Sequence, residues 1–385
     1  MSEIYFDNSS TTQPSEAVRR IVMKTMTEDY GNPSSLHRKG VEAEQYLKEA
    51  RSVIARILRV SEEEIYFTSG GTESNNWALI GSAMARRRQG GRILTTAMEH
   101  PAVSEPLRVL RDFGFSVETI PVSRAGALDM EALRPMLDRD VILVSTMYVN
   151  NEIGAVVPVN EVASLVHASS PDALYHVDAI QAFGKFQIQP RRSGIDLLSV
   201  SGHKLHGPKG TGFLYIRKGA RVLPLIYGGG QQGGMRSGTE NVPGIAGLGV
   251  ACREAYTDFD EKRSHLTALR DHLEEGLRAL PDVVIHGADA PERAPHIVNA
   301  SFPGVGSEVL LHTLEDHGIY VSAGSACSTH KRHASPTMTA IGAPKEETSS
   351  SIRFSFAETN TMEEVDTALR VLADVLPMLR RYQAH

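Results

Sequence analysis

The stretch Ile195-Asp-Leu-Leu-Ser-Val-Ser-Gly-His-Lys204 passes from an apolar run directly into a loop that carries a lysine. The apolar run predicts a buried strand, and the glycine and histidine after it predict its end. A lysine at the end of a buried strand can be desolvated, which lowers the pKa of its amine and prepares it to form a Schiff base. Most lysines lie on solvated surfaces, so the interpretation of Lys204 depends on its neighbours in the fold.

An acidic residue ends the apolar run that precedes this one. The run Ala173-Leu-Tyr-His-Val-Asp178 predicts a strand, and the chain between Asp178 and Lys204 has room for one connection and one further strand. Both side chains can therefore reach the same edge of one sheet. Pyridoxal 5'-phosphate (PLP) requires such a pair, since a lysine holds its aldehyde and a carboxylate keeps its ring nitrogen protonated. The pair predicts a PLP site.

Strands and helices alternate along the chain up to about residue 220. This pattern is typical of an α/β protein with a mostly parallel sheet that is covered on both faces. Apolar side chains at helical spacing predict a helix over residues 41–58. The predicted strands of this part are residues 64–68, 92–96, 115–122, 141–148, 173–178, 195–200 and 212–216.

The pattern changes after residue 242. One long helix is predicted over residues 242–280, then shorter strands at 283–286, 297–302, 319–322 and 352–356, and a closing amphipathic helix over 363–381. We therefore predict a large domain of residues 13–250 and a smaller α+β C-terminal domain of residues 251–385. Residues 1–12 are expected to pack near the small domain, which carries a mobile loop at about 322–350.

Composition describes an ordinary globular chain. Of the 385 residues, 41% are hydrophobic, which is enough to form a full core. The formal net charge of −6 gives no overall positive charge that would indicate binding to nucleic acid or to an anionic membrane. No leader and no apolar run of membrane-spanning length stand out. We expect a cytoplasmic protein without a membrane segment, without direct nucleic-acid binding and without a metal site.

A glycine turn between a strand and a helix is the first candidate for binding an anion. In the stretch FTSGGTESNN, at 67–76, the strand turns through two glycines into a helix that starts near Thr72. Backbone amides at such a helix start bind phosphate, and Gly71 and the Thr72 hydroxyl belong to the same turn. A capped helix with a purely structural glycine turn is an equal alternative.

Two other strand ends carry polar candidates. His100 follows the predicted strand 92–96, and its imidazole can stack on a flat ring or move protons near neutral pH. Asn151 follows the predicted strand 141–148 and can hydrogen-bond a ring substituent. A structural histidine and a turn asparagine are the ordinary alternatives, so each residue counts only in combination with the others.

A glycine-rich segment, residues 226–241, contains a formal G-x-G-x-x-G match. We do not interpret it as a dinucleotide site, because it lies far from the first strand and because Gly238 and Pro243 interrupt the helix that should open there. A mobile loop is the better description. Its Arg236 and Thr239 can reach a phosphate, in particular across a subunit boundary.

The two cysteines of the chain differ in setting. Cys252 lies in a predicted helix and is expected to be a small buried hydrophobe. Cys327 lies among Gly, Ser and Ala, and the basic residues 330–333 after it favour the thiolate. Further on, Arg353 lies inside a predicted strand, where it can clamp a carboxylate in bidentate fashion. An unreactive free thiol and a salt-bridged arginine are the alternatives.

Ten motifs together resemble one family, the NifS/IscS-type cysteine desulfurases. The resemblance runs from the N-terminus to beyond residue 355, and it implies a fold-type I PLP-dependent transferase that acts as a homodimer, takes sulfur from L-cysteine and leaves L-alanine. The motifs are DNSSTT (7–12), YGNPSSLHRKG (30–40), FTSGGTESNN (67–76), MEHPAV (98–103), VNNEIG (149–154), HVDAIQAFGK (176–185), SVSGHKLHGPKG (199–210), RSGTEN (236–241), GSACS (324–328) and SSIRFS (350–355).

The resemblance also implies a role for each matching residue. Lys204 is expected to bind PLP covalently, Cys327 to form the persulfide, and His100 to stack on the ring as a further catalytic residue. Asn151 and Arg353 are expected to position cofactor and substrate. The remaining cofactor contacts implied are Asp178 at the ring nitrogen, Gln181 at the ring oxygen, and Gly71, Thr72, Ser201, His203 and the other subunit's Thr239 at the phosphate.

The resemblance leaves the sulfur acceptor open. The GSACS motif is similar to the family branch with a long catalytic loop, although residues 330–333 are more basic than is usual there. The chain ends at His385 without the longer tail that IscS-type members use to engage an iron–sulfur scaffold. We therefore expect a sulfur-acceptor protein that is mainly a tRNA-thiolation enzyme or another dedicated acceptor, and secondarily an iron–sulfur scaffold. A selenocysteine lyase, an aminotransferase of the same fold and a non-catalytic binding protein are the competing interpretations.

Overall fold

The computed structural model describes residues 3–323 and 335–383. Apolar runs of four to seven residues form the central strands, which are buried almost throughout. In chain order the strands of the described residues are β1 Ile4–Tyr5, β2 Ile65–Thr68, β3 Arg92–Thr96, β4 Ser116–Ile120, β5 Val141–Met147, β6 Leu174–Asp178, β7 Leu197–Ser201, β8 Gly212–Ile216, β9 Val284–His286, β10 Ile297–Ser301, β11 Ile319–Tyr320, β12 Ser322–Ala323 and β13 Ser351–Ser355.

The helices alternate with these strands in the first part of the chain, as the pattern predicts. They are α1 Glu16–Thr27, α2 Arg38–Leu58, α3 Gly71–Asn76, α4 Ser82–Arg86, α5 Pro101–Asp112, α6 Met130–Met136, α7 Val159–Ser169, α8 Pro190–Ser193, α9 Val242–Tyr256, α10 Phe259–Arg278, α11 Ser307–Asp316, α12 Pro336–Ala340, α13 Lys345–Ser349 and α14 Met362–Gln383. A π-helical turn, Trp77–Gly81, joins α3 to α4.

Seven strands form the main sheet, in the order β2-β8-β7-β6-β5-β3-β4. Only β8 runs antiparallel to its neighbours, so the sheet is mostly parallel, as predicted. Adjacent residues of one strand enter different apolar clusters, since Leu197 packs with Trp77 and Leu107 while Leu198 packs with Ile54 and Val162. Helices therefore cover both faces of the sheet.

The second part of the chain forms smaller sheets. A four-stranded antiparallel sheet has the order β12-β13-β10-β9, and β1 pairs in parallel with β11. The apolar cluster of these sheets consists of buried residues from Leu266 onward, together with Ile4 and Phe6 from the N-terminus. Cys252 still belongs to the large cluster of the main sheet. The predicted division between residues 250 and 251 falls inside α9, and it stays a prediction.

Two predicted elements are wrong in extent. The single helix predicted over 242–280 is broken after Tyr256, because Thr257 is extended and Asp258 takes a left-handed conformation with φ 51°. Pro243 does not interrupt this region but lies in the first turn of α9, where a missing N–H costs nothing. The strand predicted over 319–322 is divided at Val321 between two sheets.

The predicted loop at about 322–350 lies partly outside the described residues. Its described part begins with the pair of residues that form β12 and then resumes at residue 335, where it contains the short helices α12 and α13. The other predicted strand ends differ from the structure by one or two residues, and helix α2 begins three residues before the predicted 41–58, where His37 caps it.

The parallel arrangement brings several loops to one edge of the main sheet. The carboxyl ends of β2, β3, β5, β6 and β7 point the same way, because β2 is antiparallel to β8 and β8 is antiparallel to β7. Ligands bind outside this edge in open α/β sheets. None of the helices within residues 3–323 and 335–383 is long and apolar enough to span a membrane.

Candidate active site

Lys204 ends a short turn, Gly202–Lys204, that directly follows β7. Its Nζ donates hydrogen bonds to the carbonyl oxygens of Ser9 and Ser10, each at 2.7 Å. The buried Lys185 in turn donates its Nζ to the Lys204 carbonyl at 3.2 Å. The amine is therefore half-buried and faces the N-terminal segment, whose carbonyl dipoles hold it in place.

Asp178, the last residue of β6, is only 4% exposed. Its carboxylate accepts hydrogen bonds from the side-chain amide of Asn75 at 2.7 Å and from the Ile180 N–H at 3.0 Å. Burial raises the pKa of Asp178, whereas these two bonds and the electrostatic interactions with His100 and Lys204 act in the opposite direction. A cation beside Asp178 would therefore contact a buried carboxyl group whose orientation is fixed by two hydrogen bonds.

His100 caps the start of α5, where its Nδ1 accepts a hydrogen bond from the Ala102 N–H at 3.0 Å. Its other ring nitrogen, Nε2, therefore carries the proton in the neutral ring. Burial lowers the pKa of His100, and the charges of Lys204 and Arg353 lower it further, although Asp178 opposes them. A neutral imidazole close to Lys204 and Asp178 is the result.

Glu99 fixes the turn that presents His100. Its Oε1 accepts hydrogen bonds from the Thr96 hydroxyl at 2.7 Å and from the Met147 N–H at 2.9 Å. The side chain is buried between β3 and β5, and burial raises the pKa of Glu99 to about 8. Sequence reasoning missed this residue, because its neighbours in space come from a strand that lies far along the chain.

Gly70 and Gly71 form a close contact with the loops after β6 and β7. A Cβ atom on Gly71 would collide with Ile180 Cδ1 and lie 3.5 Å from Ser201 Cβ, and Gly70 has φ 146°. Only glycine fits these two positions. Ser201 is buried beside them, and Thr72 is exposed in the same turn. The structure brings these predicted phosphate contacts together.

His203 lies between Ser201 and Lys204, and its Nδ1 shares a hydrogen bond with the Thr11 hydroxyl at 3.2 Å. Burial, followed by the charges of Lys204 and Lys209, lowers the pKa of His203 to about 4. The ring is therefore neutral near pH 7, and it serves an anion as a hydrogen-bonding group and not as a cation.

The glycine-rich loop approaches α3 through a salt bridge. Arg236 donates two hydrogen bonds to the Glu73 carboxylate, at 2.8 and 3.1 Å. Burial opposes ionisation of Glu73, yet the bonds from Arg236 and Ser69 hold its pKa below the ordinary value. Arg236 is thus engaged by the Glu73 carboxylate, and its contact with a phosphate stays a prediction. Thr239 is exposed.

Arg353 extends from β13 of the small antiparallel sheet toward this edge and is only 7% exposed. Its guanidinium donates to the Asn151 carbonyl at 2.8 Å, to Asp7 Oδ1 at 2.9 Å and to the Ser10 hydroxyl at 2.7 Å. Its Nε is buried and has no hydrogen-bond partner among the described residues. Arg353 is therefore salt-bridged, which was the alternative interpretation, and it retains a further donor.

The N-terminal segment 7–12 is the part of the site that residue-by-residue reasoning missed. Ser9 also accepts a hydrogen bond from the Gln181 side chain at 3.0 Å, so its carbonyl is shared with Lys204. The Gln181 oxygen contacts His296 Nε2 at 3.3 Å. The run of hydroxyl residues in DNSSTT was a usable signal, but it has no helix or strand periodicity from which its position in the fold could be predicted.

Of the two cysteines, Cys252 is fully buried, as predicted, and burial raises the pKa of its thiol far above the ordinary range. Cys327 and the basic residues 330–333 lie outside the described residues. The structure therefore removes Cys252 from the candidate nucleophiles and leaves Cys327 to be judged by its sequence.

Comparison with known proteins agrees with this arrangement. The family model for aminotransferase class-V matches residues 4–368. A cysteine desulfurase IscS of Methanosarcina thermophila is 42% identical over 377 residues, which cover 98% of this chain and 93% of the relative. This chain belongs to the cysteine desulfurase family. The cysteine desulfurase IscS of Dictyoglomus turgidum is 41% identical, with 98% of this chain and 95% of the relative covered.

Solved structures of cysteine desulfurases and related proteins share the fold. A NifS-like protein superposes with a TM-score of 0.92 at 38% identity, with 98% of this chain and 100% of that chain covered. An apo cysteine desulfurase of Thermococcus onnurineus superposes with a TM-score of 0.88 at 26% identity, covering 98% and 95%. The predictions of the family, of the α/β fold class, of a cysteine desulfurase enzyme and of PLP as the cofactor are confirmed.

The site of this desulfurase fits PLP on its own features. The Gly71 backbone packs so closely against Ile180 that a side chain would collide with it, and the first amides of a helix lack partners within the helix. Asn75 Oδ1 and Arg353 Nε are buried without a partner among the described residues. These groups offer hydrogen-bonding capacity around Asp178 and Lys204 that a polar aromatic cofactor can use.

Proposed function

We propose that this enzyme removes sulfur from L-cysteine, releases L-alanine and carries the sulfur as a persulfide on Cys327. The observation that carries the proposal is that Lys204 and Arg353 meet on one residue. Lys204 Nζ binds the Ser10 carbonyl at 2.7 Å, and Arg353 Nη2 binds the Ser10 hydroxyl at 2.7 Å. An amino acid whose carboxylate is held by Arg353 would thus have its amino group and Cα within reach of the lysine.

The residues around this point have separate roles in holding the cofactor. Lys204 would bind its aldehyde carbon, Asp178 would pair with the ring nitrogen, Gln181 with the ring oxygen, and His100 would cover the flat face. The residues that would hold the phosphate are Gly71, Thr72, Ser201 and His203. PLP, when bound, supplies a protonated ring that accepts the electron pair left by a proton lost from Cα. The environment of Asp178 supports its role, because a buried carboxylate with two hydrogen-bond donors keeps a neighbouring cation charged.

The remaining steps belong to protein groups. The Lys204 amine, once released, takes the Cα proton, and a neutral His100 beside it provides a second group for proton transfer. The Cys327 thiolate attacks the substrate sulfur, so that an S–S bond forms and the C–S bond breaks. Its electron pair returns to the carbon skeleton, which takes up one proton at Cβ and regains one at Cα and so becomes alanine. Atoms and electrons balance without an external reductant.

The position of the added sulfur tests this function. One equivalent of L-cysteine should add the mass of one sulfur atom to the peptide that contains Cys327, with an equal amount of alanine released, while the Cys252 peptide stays unchanged. Mass spectrometry of the digested protein and amino-acid analysis measure both. Sulfur on Cys252, or alanine formed with no sulfur on Cys327, would contradict the proposal. Turnover of L-selenocysteine in preference to L-cysteine would favour a selenocysteine lyase.

Arg353 should determine the affinity for the substrate carboxylate. We expect Arg353→Lys to raise KM for L-cysteine about 10- to 100-fold with a smaller change in kcat, because an ammonium cannot replace the planar, bidentate guanidinium. Steady-state kinetics measure the two constants. Arg370→Lys, on the exposed side of α14, is a matched control that should change neither. An unchanged KM for Arg353→Lys would show that Arg353 serves only the Asp7 salt bridge.

The enzyme is also proposed to act as a homodimer in which Thr239 reaches the partner's phosphate site. Leu36 is 99% exposed and Tyr227 73%, and the large apolar side chains of Met23, Met26 and Tyr30 are also exposed. Exposed apolar patches mark interaction surfaces. Sedimentation at micromolar concentration should give the mass of two chains, and the pair Leu36→Glu and Tyr227→Glu should shift it toward one. A single-chain mass for the unchanged protein would contradict the dimer.

The persulfide sulfur is proposed to pass to an acceptor protein in the cytoplasm. The sequence supports a tRNA-thiolation enzyme, or less directly an iron–sulfur scaffold, through the basic residues 330–333 that follow Cys327. The two acceptors can be distinguished by loading the protein with labelled sulfur, offering both acceptors together and measuring which of them gains the label faster. Faster transfer to the scaffold would overturn the preference.

A further inference from the structure

The described chain resumes after Cys327 at Ser335, which is firmly anchored. Its hydroxyl caps α12 by accepting the Met338 N–H at 3.1 Å, and it donates to Oε2 of Glu152 at 2.5 Å. Ser335 is buried, and Glu152 belongs to the loop after β5. One hydroxyl therefore joins the start of α12 to a loop of the main sheet.

A second hydrogen bond and an apolar cluster reinforce this junction. The Asn150 side chain donates to the Thr337 hydroxyl at 3.1 Å, while its oxygen accepts the N–H groups of Glu152 and Ile153 at 2.9 Å. Met338 is fully buried in a small cluster with Met98, Met147, Ile153 and Ile341. The start of α12 is thus held against residues 150–153 by polar and apolar contacts together.

The same loop contacts the substrate arginine from its other side. Asn151, between the two anchoring residues, accepts the hydrogen bond from Arg353 through its carbonyl. Any shift of the Asn150–Glu152 backbone would therefore move both the Arg353 contact and the Ser335 contact. The contact of Arg353, which is proposed to bind the carboxylate, and the contact of Ser335 therefore depend on the same loop.

Position 152 carries a carboxyl group, and burying a carboxyl group is unfavourable unless it has hydrogen-bonding partners. Burial raises the pKa of Glu152, while hydrogen bonds from Ser335 and Thr337 and the charge of Arg353 act to lower it. An apolar side chain at position 152 could fill the same space, but it would not fix the orientation of Ser335. Hydrogen bonds have a fixed geometry and therefore do fix it.

We propose that Glu152 is a positioning residue for sulfur transfer, which holds Ser335, the described residue that follows Cys327 in the chain, in register with the Asn151–Arg353 contact. The inference rests on the proposed role of Cys327. It assigns to Glu152 no contact with substrate or cofactor. The consequence is that loss of the anchor slows the arrival of sulfur on Cys327 and leaves the earlier binding of cofactor and cysteine unchanged.

The test separates these two stages in the PLP-loaded enzyme. In Ser335→Ala, single-turnover mass spectrometry should show a three- to tenfold slower addition of sulfur to Cys327, the range expected for one lost hydrogen bond. The cofactor absorbance and the L-cysteine Kd, titrated through the change in that absorbance, should match the unchanged enzyme. Ser335→Thr, which keeps the hydroxyl, should restore the rate. Ser349→Ala, on an exposed position of α13, is the control.

Glu152→Ala tests the other partner of the same contact. It should slow the sulfur step by a similar factor, and the double variant with Ser335→Ala should be no slower than the slower single variant, because both remove one interaction. An unchanged rate in Ser335→Ala, additive effects in the double variant, or an equal loss of cysteine affinity would overturn the inference. No sulfur on Cys327 in the unchanged enzyme would instead refute the proposed function.

Discussion

Lys204→Ala should leave PLP unattached to the protein and lower the turnover of L-cysteine by roughly 10³-fold or more. Two contributions are lost together, the covalent bond to the cofactor and the proton transfer at Cα, which is typically worth about 10² to 10⁴. The structure adds a reason for the size of the effect. The Nζ is oriented by the Ser9 and Ser10 carbonyls, whereas the neighbouring Lys185 is engaged elsewhere, because its Nζ binds the Lys204 carbonyl.

Borohydride reduction followed by mass spectrometry measures this directly, since the reduced cofactor stays on the peptide that carries its lysine. The unchanged enzyme should be labelled on Lys204, and the variant on no peptide. Lys209→Ala is the matched control, because it removes an exposed lysine from the same loop. Stoichiometric reduced cofactor on another lysine of the variant would contradict the assignment.

Cys327→Ala should abolish sulfur on the protein and lower the release of alanine by roughly 10³-fold or more, as is usual when the nucleophile of a covalent mechanism is removed. The cofactor absorbance and its change on addition of L-cysteine should persist, since those depend on Lys204 and Arg353. A variant that binds cysteine but fails to cleave it would separate binding from sulfur transfer.

Cys252→Ala is the control that the chain itself offers. Cys252 lies in the large apolar cluster, and burial raises its thiol pKa well above the ordinary value, so it is not a thiolate near neutral pH. Its removal should cost about 1 kcal/mol of stability and leave sulfur transfer intact. Loss of transfer in Cys252→Ala, with transfer retained in Cys327→Ala, would reverse the assignment.

The strand ends that carry Lys204 and Asp178 could be predicted because they follow from short-range patterns. Apolar runs predicted β6 and β7 to within two residues, and parallel strands present their carboxyl ends at one edge. The break between α9 and α10 could not be predicted in the same way. Periodicity continues across Thr257 and Asp258, and only the left-handed backbone of Asp258 reveals the turn.

Side chains that act through partners were harder to predict than those that act by themselves. Asn75 lies in a motif that was noticed for its glycines, yet its bond to Asp178 depends on which face of α3 meets the sheet. Glu99 and Glu152 each stand beside a residue that was predicted, His100 or Asn151, and their roles come from burial. A sequence shows the charge of a carboxyl group but not the desolvation that shifts its pKa.

The sequence by itself determined the class of fold and the cofactor, and it predicted Lys204 as the cofactor's anchor, because these depend on local patterns and on motifs that survive as contiguous stretches. Only the tertiary structure decided that the N-terminal segment 7–12 closes the site, where Ser10 joins Lys204 of the main sheet to Arg353 of the small one. The reason is physical. Those three residues lie far apart along the chain, and hydrogen bonds between them exist only after both apolar cores have formed and set the distances.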